Sequence, residues 1–400
     1  MASSLASTSA HSLADVCDIV SAAVADNTRL EVRAGGTKRA LGRVRDADAV
    51  LDVSKMTGVI DYQPEELILT LRAGTPLADV ETLLASANQM LAFDPPDYGK
   101  LLGSGDAGTI GGVMVANLSG SRRLTVGAAR DFMLGFEAVS GRGELFKSGG
   151  KVVKNVTGYD LSKLICGSFG TLAVIDEITL KTLPRPETSL SLLFPADDMA
   201  QAISMIADIF ATPHEPGAAA ILPRDISKAA GIDMSAPLTI AIRLEGIAVS
   251  VNDRASHLLK ANSTGEELPH KKSKVLWQKI RDVEFLTNKP ADIWKISCAP
   301  SIAAGFLDKL GQQVAFDFYA DWAGGLLWLA GASDKEFGDA VRSALGSDGF
   351  AMLMRDSGDT KNHVPPFQPL AKPMFELHKR VKAAFDPKSV LNFGRMHDGI

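Results

Sequence analysis

The sequence is poor in cysteine, in basic charge and in long apolar runs, and each shortage removes a class of function. Only Cys17, Cys166 and Cys298 occur in 400 residues, singly and never as CxxC. They build no disulfide framework, zinc ribbon or four-cysteine iron–sulfur cluster from this chain alone, and no metal site is expected. Acidic residues outnumber basic ones 47 to 42, for a net charge of −5, a poor balance for nucleic-acid binding. No run approaches the ~18 apolar residues of a spanning helix. The longest, GGLLWLAG at Gly324–Gly331, is strand-sized. Walker, HExxH and GxSxG motifs are missing as well. The start, MASSLASTSAHS, has neither a basic region nor an apolar core, so residues 1–12 read as a flexible tail and not a secretory signal. The expected compartment is the cytoplasm, with any membrane contact made through a partner.

What is present is an ordinary globular balance, 46% hydrophobic and 22% charged, in a chain long enough for two or three domains. Glycine is concentrated: 16 of the 36 fall between Gly99 and Gly170, which marks that stretch as a candidate ligand cradle. Helical spacing covers Leu13–Asp26, and Thr75 with Pro76 is a start signal for a helix through Leu84. RLEVRAGG, VLDVSKM, ELILTLRAG, FMLGFEAVS, GELFKSGG and TLAVIDEITLKTL read as strands. PRPE at Pro184–Glu187 is a candidate boundary. Beyond it, strands such as LSLLFP, LTIAIRLEG and VAFDFYADW alternate with helices at Met199–Phe210 and Val249–Lys260, the pattern of an α+β sheet covered by helices. A basic helix at Met374–Phe385 and the segment FDPKSVLNFGRM close the chain.

GSGDAG at Gly103–Gly108 matches a dinucleotide fingerprint, but no hydrophobic strand precedes it and a second glycine turn follows, so a Rossmann loop is not expected. Two other turns are better placed. VRAGGTKRALG brings Gly35, Gly36 and Thr37 beside Arg33, Lys38 and Arg39, and TIGGVMVANLSG sets Gly111 and Gly112 among small residues. Exposed backbone N–H groups and adjacent cations suit a pyrophosphate. The same turns would also serve an ordinary β-rich domain.

These turns, in this order, followed by RDFMLGFEAVSGRGELFKSGGKVVKNVTGYDLSKLICGSFGTLAVIDEITLK, resemble the flavin-binding domain of the vanillyl-alcohol oxidase / p-cresol methylhydroxylase superfamily over residues 29–185. KNVTGYDLSKL and GSFGTLAVI resemble its glycolate oxidase and D-lactate dehydrogenase branch. The length and second half resemble the smaller, E-type flavin subunits of bacterial glycolate oxidases. The resemblance implies an α+β chain: a two-part FAD-binding domain at 13–185, an α+β cap domain at 186–365, and a segment at 366–400 returning to the FAD domain. It implies FAD, with Arg33, Gly35, Gly36 and Thr37 at the first loop, and Thr109, Ile110, Gly111, Gly112, Asn117 and Ser119 at the second. Gly158, Tyr159, Asp160, Gly170, Leu172 and Val174 match elements around the flavin and adenine portions, and Asn392 and Arg395 the closing motif. Simpler roles stand beside these: Asp160 as a helix cap, Tyr159 as core, Arg130–Asp131 as an ion pair. None of the seven histidines lies in the two loops, so non-covalent FAD is expected.

One departure matters. Catalytic members of this branch carry a His-rich metal-binding segment in the second domain, where this chain reads FYADWAGGLLWLAG, with Asp321 and Trp322 and no histidine. Arg281, in LWQKIRD, is a candidate partner for a substrate carboxylate, or simply an exposed helix arginine; Arg395 is the other catalytic candidate. The expectation is an FAD-binding subunit of a glycolate oxidase complex that oxidises glycolate to glyoxylate. A homologous catalytic flavoprotein and an iron–sulfur subunit would be its partners. A self-sufficient D-2-hydroxy-acid dehydrogenase and a non-catalytic assembly subunit are the alternatives.

Overall fold

A computed structural model describes residues 5–43, 47–106, 108–151 and 158–400. The chain forms two units. The first takes in the chain up to Ser119, Ala128–Arg185 and Pro369–Ile400; the second is Gly120–Gly127 with Pro186–Gln368.

The first unit holds two main sheets. One is parallel, with Ala49–Asp52 between Ala6–Ser9 and Leu30–Arg33. Residues 6–9, expected to lie in a tail, are thus a sheet edge, and Ala10 after them is fully buried. ASTS carries no apolar alternation, so only its pairing partner, the buried AVLD strand, reveals it. Helix Leu13–Asp26 follows, started by a Ser12/Asp15 capping box and ended by Asn27 in the left-handed region. Its buried Val16, Val20 and Ala23 share a core with Leu51, Val139, Val174 and Leu391.

The other sheet has five antiparallel strands in the order Val59–Gln63, Ile68–Arg72, Ala173–Lys181, Met133–Ser140 and Leu145–Gly149. Its middle strands are buried nearly throughout, whereas Leu145–Gly149 alternates exposed and half-buried residues, as an edge strand does. The helix after Pro76 starts without a side-chain cap. Thr75 was expected to cap it; instead its hydroxyl donates to the Arg72 carbonyl (2.7 Å) and accepts from Gly58 N–H (3.0 Å), holding the strand exit together.

The second unit is built on one eight-stranded sheet with antiparallel neighbours throughout. Helices Met199–Phe210, Ala248–Ala261, Pro300–Gly311 and Lys335–Leu345 share one core with alternate strand residues such as Leu192, Ile242, Trp294, Ile296 and Leu329. Residues between these point to the opposite face. There helix His270–Arg281 docks on Ser191, whose hydroxyl meets Ser273 Oγ (2.8 Å) and Trp277 Nε1 (2.8 Å). Gly120–Gly127, inside the 13–185 stretch expected to form the FAD domain, packs in the second unit. Arg122 grips Glu245 through two 2.8 Å bonds, Ser121 donates to Asp321 (2.7 Å), and Trp322 Nε1 donates to the Gly120 carbonyl (3.0 Å). Those partners lie more than a hundred residues away, beyond the reach of local pattern.

Candidate cofactor-binding site

In the first unit three segments converge on the exit of strand Leu30–Arg33. The strand runs straight into the glycine turn Ala34–Arg39. Among the described residues, no protein acceptor is recorded for the backbone N–H groups of Gly35, Gly36 and Thr37. A turn of this kind presents donors to a ligand, because an amide left without a partner in a cleft costs free energy.

The second segment is the short helix Ile110–Val115, capped by Thr109, whose Oγ1 accepts from Gly112 N–H at 3.2 Å. It is stitched to the exit of strand Ile68–Arg72 by Gly111 N–H to the Ala73 carbonyl (2.8 Å) and Ile110 N–H to the Thr75 carbonyl (3.0 Å). Gly108 before it is left-handed at φ +77°, and a Cβ there would meet Thr37 Oγ1 at 2.1 Å. The two glycine turns therefore touch, and only glycine fits between them. The helix in turn fixes the third segment through Phe169 N–H to the Val115 carbonyl (2.8 Å).

The closing motif ties this together. Asn392 is buried and left-handed (φ +43°). Its Oδ1 accepts from Val32 N–H (3.0 Å), and its Nδ2 donates to the carbonyls of Phe169 (3.0 Å) and Gly170 (3.3 Å). Gly170 is left-handed too, and a Cβ there would sit 2.8 Å from Asn392 Nδ2. Arg395, also buried, donates to the carbonyls of Lys38 (2.9 Å) and Phe169 (3.3 Å), bridging the first turn and the third segment. Buried Lys382 anchors the motif, donating to Asp386 (2.7 Å) and to the Thr171 and Leu391 carbonyls (2.6 and 2.8 Å).

The cleft between these segments is open at its mouth and encloses about 810 Å³ of space with that mouth counted. Of the residues singled out in the sequence, Arg33, Gly35, Gly36, Thr37, Thr109, Gly111, Gly112, Gly170, Val174, Asn392 and Arg395 line it. The others stand elsewhere. Ile110 is fully buried under the helix it starts. Asn117 accepts from Arg130 N–H (3.1 Å), and Ser119 from Ala129 N–H (2.9 Å), each holding a neighbouring turn. Leu172 lines a separate groove with Leu164, Leu377 and Val381. Tyr159 is 92% exposed, which excludes the core role. Asp160 caps helix Leu161–Ile165 through Lys163 N–H and pairs with Lys163 (3.1 Å). Gly158 is left-handed with open space around it. Residues 152–157, VVKNVT, lie outside the described residues. In the second unit, Arg281 is spent on its neighbour Asp282 in a bidentate pair (2.7 and 2.9 Å).

Two cleft residues lie outside the set the sequence singles out for the cofactor, Lys38 and Phe169. Lys38 is buried at the contact of the two glycine turns, 3.4 Å from Thr37 Oγ1. Burial pushes its ammonium down to about 8, against the opposing pull of Asp97 and Asp106. Its position inside a glycine turn was the available signal. The cleft is thus lined by Lys38, Arg33 and Arg395, while its acidic residue, Glu31, is taken by Arg39 (2.6 and 2.9 Å). The unpartnered amides of the first turn, the buried cations Lys38 and Arg395, and the close approach at Gly111 and Gly170 fit a dinucleotide pyrophosphate.

Comparison with known proteins agrees. Residues 6–149 match the FAD binding domain family. Over 380 residues the chain is 36% identical to the glycolate oxidase subunit GlcE of Escherichia coli K12, covering 94% of this chain and 95% of that one. It is 35% identical over 162 residues to the glycolate oxidase subunit GlcD of Bacillus subtilis, covering 40% and 33%. The fold is that of p-cresol methylhydroxylase (TM-score 0.68, 13% identity, 98% of this chain and 88% of that one). Alkyldihydroxyacetonephosphate synthase shares it too (TM-score 0.70, 17% identity, 96% and 75%). With an FAD-type cleft in its first unit and a match running nearly end to end of both chains, this protein belongs to the GlcE family of glycolate oxidase subunits, and its cofactor is FAD.

Proposed function

We propose that this chain is the FAD-carrying E-type subunit of a hetero-oligomeric glycolate oxidase, taking part in the oxidation of glycolate to glyoxylate and passing electrons to an iron–sulfur partner. The observation that carries this reading is the cleft itself: a glycine turn whose Gly35, Gly36 and Thr37 N–H groups find no protein acceptor among the described residues, closed by Asn392 and Arg395. Bound FAD supplies a two-electron acceptor there. The chain's own residues hold and orient it. Turn amides and Lys38 would meet its anionic portion, and Arg395 holds the turn through the Lys38 carbonyl.

A base for the hydroxyl proton is a separate requirement. Among the described cleft residues there is no histidine, and Glu31 is held by Arg39. Among the described residues, no group of three His, Cys, Asp or Glu is arranged to hold a metal. Both facts favour a division of labour in which a larger homologous flavoprotein provides the base, and a separate cysteine-rich chain the cluster. No described helix is long and apolar enough to cross a membrane, so on this reading membrane contact is made by partners.

The test is an anaerobic visible spectrum with and without glycolate, on the isolated chain and on the co-purified complex. Bleaching of the flavin band only in the complex supports the subunit reading. Bleaching in the isolated chain replaces it with a self-sufficient dehydrogenase. A chain that takes up no flavin, while the complex still forms, leaves an assembly role.

A further inference from the structure

Helix Lys372–Phe385 carries an apolar stripe, Met374, Leu377, Val381 and Phe385, at the spacing of a core-facing helix. Yet its one buried residue is Lys382, held by Asp386 and by the Thr171 and Leu391 carbonyls. A charge pins the helix at that point and Phe385 meets Phe146 at its end, while Met374 and Leu377 stay 46% and 42% exposed. Helices in proteins draw most of their stability from covering such a stripe, and this one lacks part of its cover.

The uncovered part opens on a groove whose lining belongs wholly to the first unit. Leu164, Leu172, Leu377, Val381, Met396 and Ile400 line it, and it encloses about 750 Å³ with its open mouth counted. Burial lowers His378, and burial followed by the charges of His378 and Arg43 lowers His397 to about 4, so both rings at the groove are neutral at pH 7. The groove shares a wall with the flavin cleft. Along residues 168–172, Phe169 and Gly170 line the cleft, and Ser168, Thr171 and Leu172 line the groove. Away from the stripe the helix is basic. Lys372, Lys379 and Arg380 are exposed with only Glu376 against them, and none of the three has an ion-pair partner among the described residues. That local excess stands out in a chain of net charge −5.

We propose that this groove seats an amphipathic helix of a partner subunit, one whose apolar stripe is bordered by Asp or Glu. Exposed apolar surface rimmed by charge marks an interaction site, and the ridge of a helix fills a groove of this form. Charge selects the occupant. A second copy of this chain would bring the same three cations against their own kind, and a flat bilayer covers a groove without filling it. Acidic flanks complement the basic rim, which favours encounter with that partner over others. The inference rests on the hetero-oligomer reading and places the partner's helix behind the wall of the flavin cleft.

The full chain is co-expressed with its flavoprotein and iron–sulfur partner subunits, pulled down by a tag on this chain, and its flavin counted. The expected result is that Leu377→Glu retains at least ~10-fold less partner with unchanged flavin per chain. The double variant Lys379→Glu/Arg380→Glu is also weakened, and Leu377→Met assembles as wild type, which separates loss of the contact from loss of fold. A photo-crosslinking side chain placed at Met374 is expected to capture a partner peptide with acidic residues beside apolar ones. Normal assembly by Leu377→Glu overturns the docking site and leaves the hetero-oligomer reading standing. A wild-type chain that retains no partner overturns both. Crosslinking to a second copy of this chain overturns the proposal, as does Leu377-dependent flotation of the isolated chain with phosphatidylglycerol vesicles.

Discussion

Replacing Asn392 by alanine tests how the flavin cleft is held together. The side chain is buried and spans two segments that meet nowhere else in sequence. Asn392→Ala strips Val32 N–H of its acceptor and the Gly170 carbonyl of its donor, whereas the Phe169 carbonyl keeps Arg395. A buried group left without a partner costs about 1–3 kcal/mol. Alanine at φ +43° adds roughly 1 kcal/mol of left-handed strain that asparagine tolerates better. With two groups stripped, the sum is about 3–7 kcal/mol, a large part of a typical 5–15 kcal/mol total. Urea unfolding followed by circular dichroism, with FAD titration of the cofactor-free protein, measures both consequences. Asn392→Gly relieves the strain but not the lost bonds, so it should recover only about 1 kcal/mol. Asn392→Asp keeps the Val32 contact but turns a carboxylate toward two carbonyls, and should be no better than alanine. If Asn392→Ala stays within about 0.5 kcal/mol of wild type and binds FAD equally well, the closing motif does not hold the cleft as described.

Three further outcomes follow from the geometry. Gly108→Ala drives a methyl group into Thr37 Oγ1 at a left-handed position, so the purified variant should lose most of its flavin absorbance. Lys38, held near 8 in the folded cofactor-free protein against 10.5 when unfolded, binds fewer protons folded than unfolded between those values. Its contribution to cofactor-free stability therefore rises with pH across that window, while FAD affinity, which uses the charged form, should weaken above pH 8; Lys38→Met should abolish the pH effect in FAD titrations. Arg281→Ala leaves buried Asp282 without its guanidinium, and should cost about 1–3 kcal/mol in thermal unfolding without altering flavin content.

Much of the cofactor site was legible because glycine turns declare themselves. Gly35, Gly36, Gly111, Gly112 and Gly170 all reach the cleft, as do Asn392 and Arg395 from the closing motif. The misses have physical causes. Asn117, Ser119 and Asp160 stand beside the same turns but spend their side chains on local caps, and sequence spacing does not separate a cap from a ligand contact. Lys38 is a surface residue by type, and only the touching of two distant turns buries it. Strand Ala218–Pro223 is buried in mid-sheet from Ala218 to Leu222, yet AAAILP carries little β signal, because a strand packed on both faces needs small residues more than branched ones. Ala6–Ser9 escaped for the opposite reason, being a polar edge that exists only through its partner.

The central claim, that the first unit holds FAD between its glycine turns and closing motif, is tested most directly by the visible spectrum of the purified full chain, with the flavin released by acid counted against protein. The account predicts an equimolar, acid-releasable FAD in the wild-type chain and its loss in Gly108→Ala. A wild-type chain that stays colourless after incubation with FAD would contradict it.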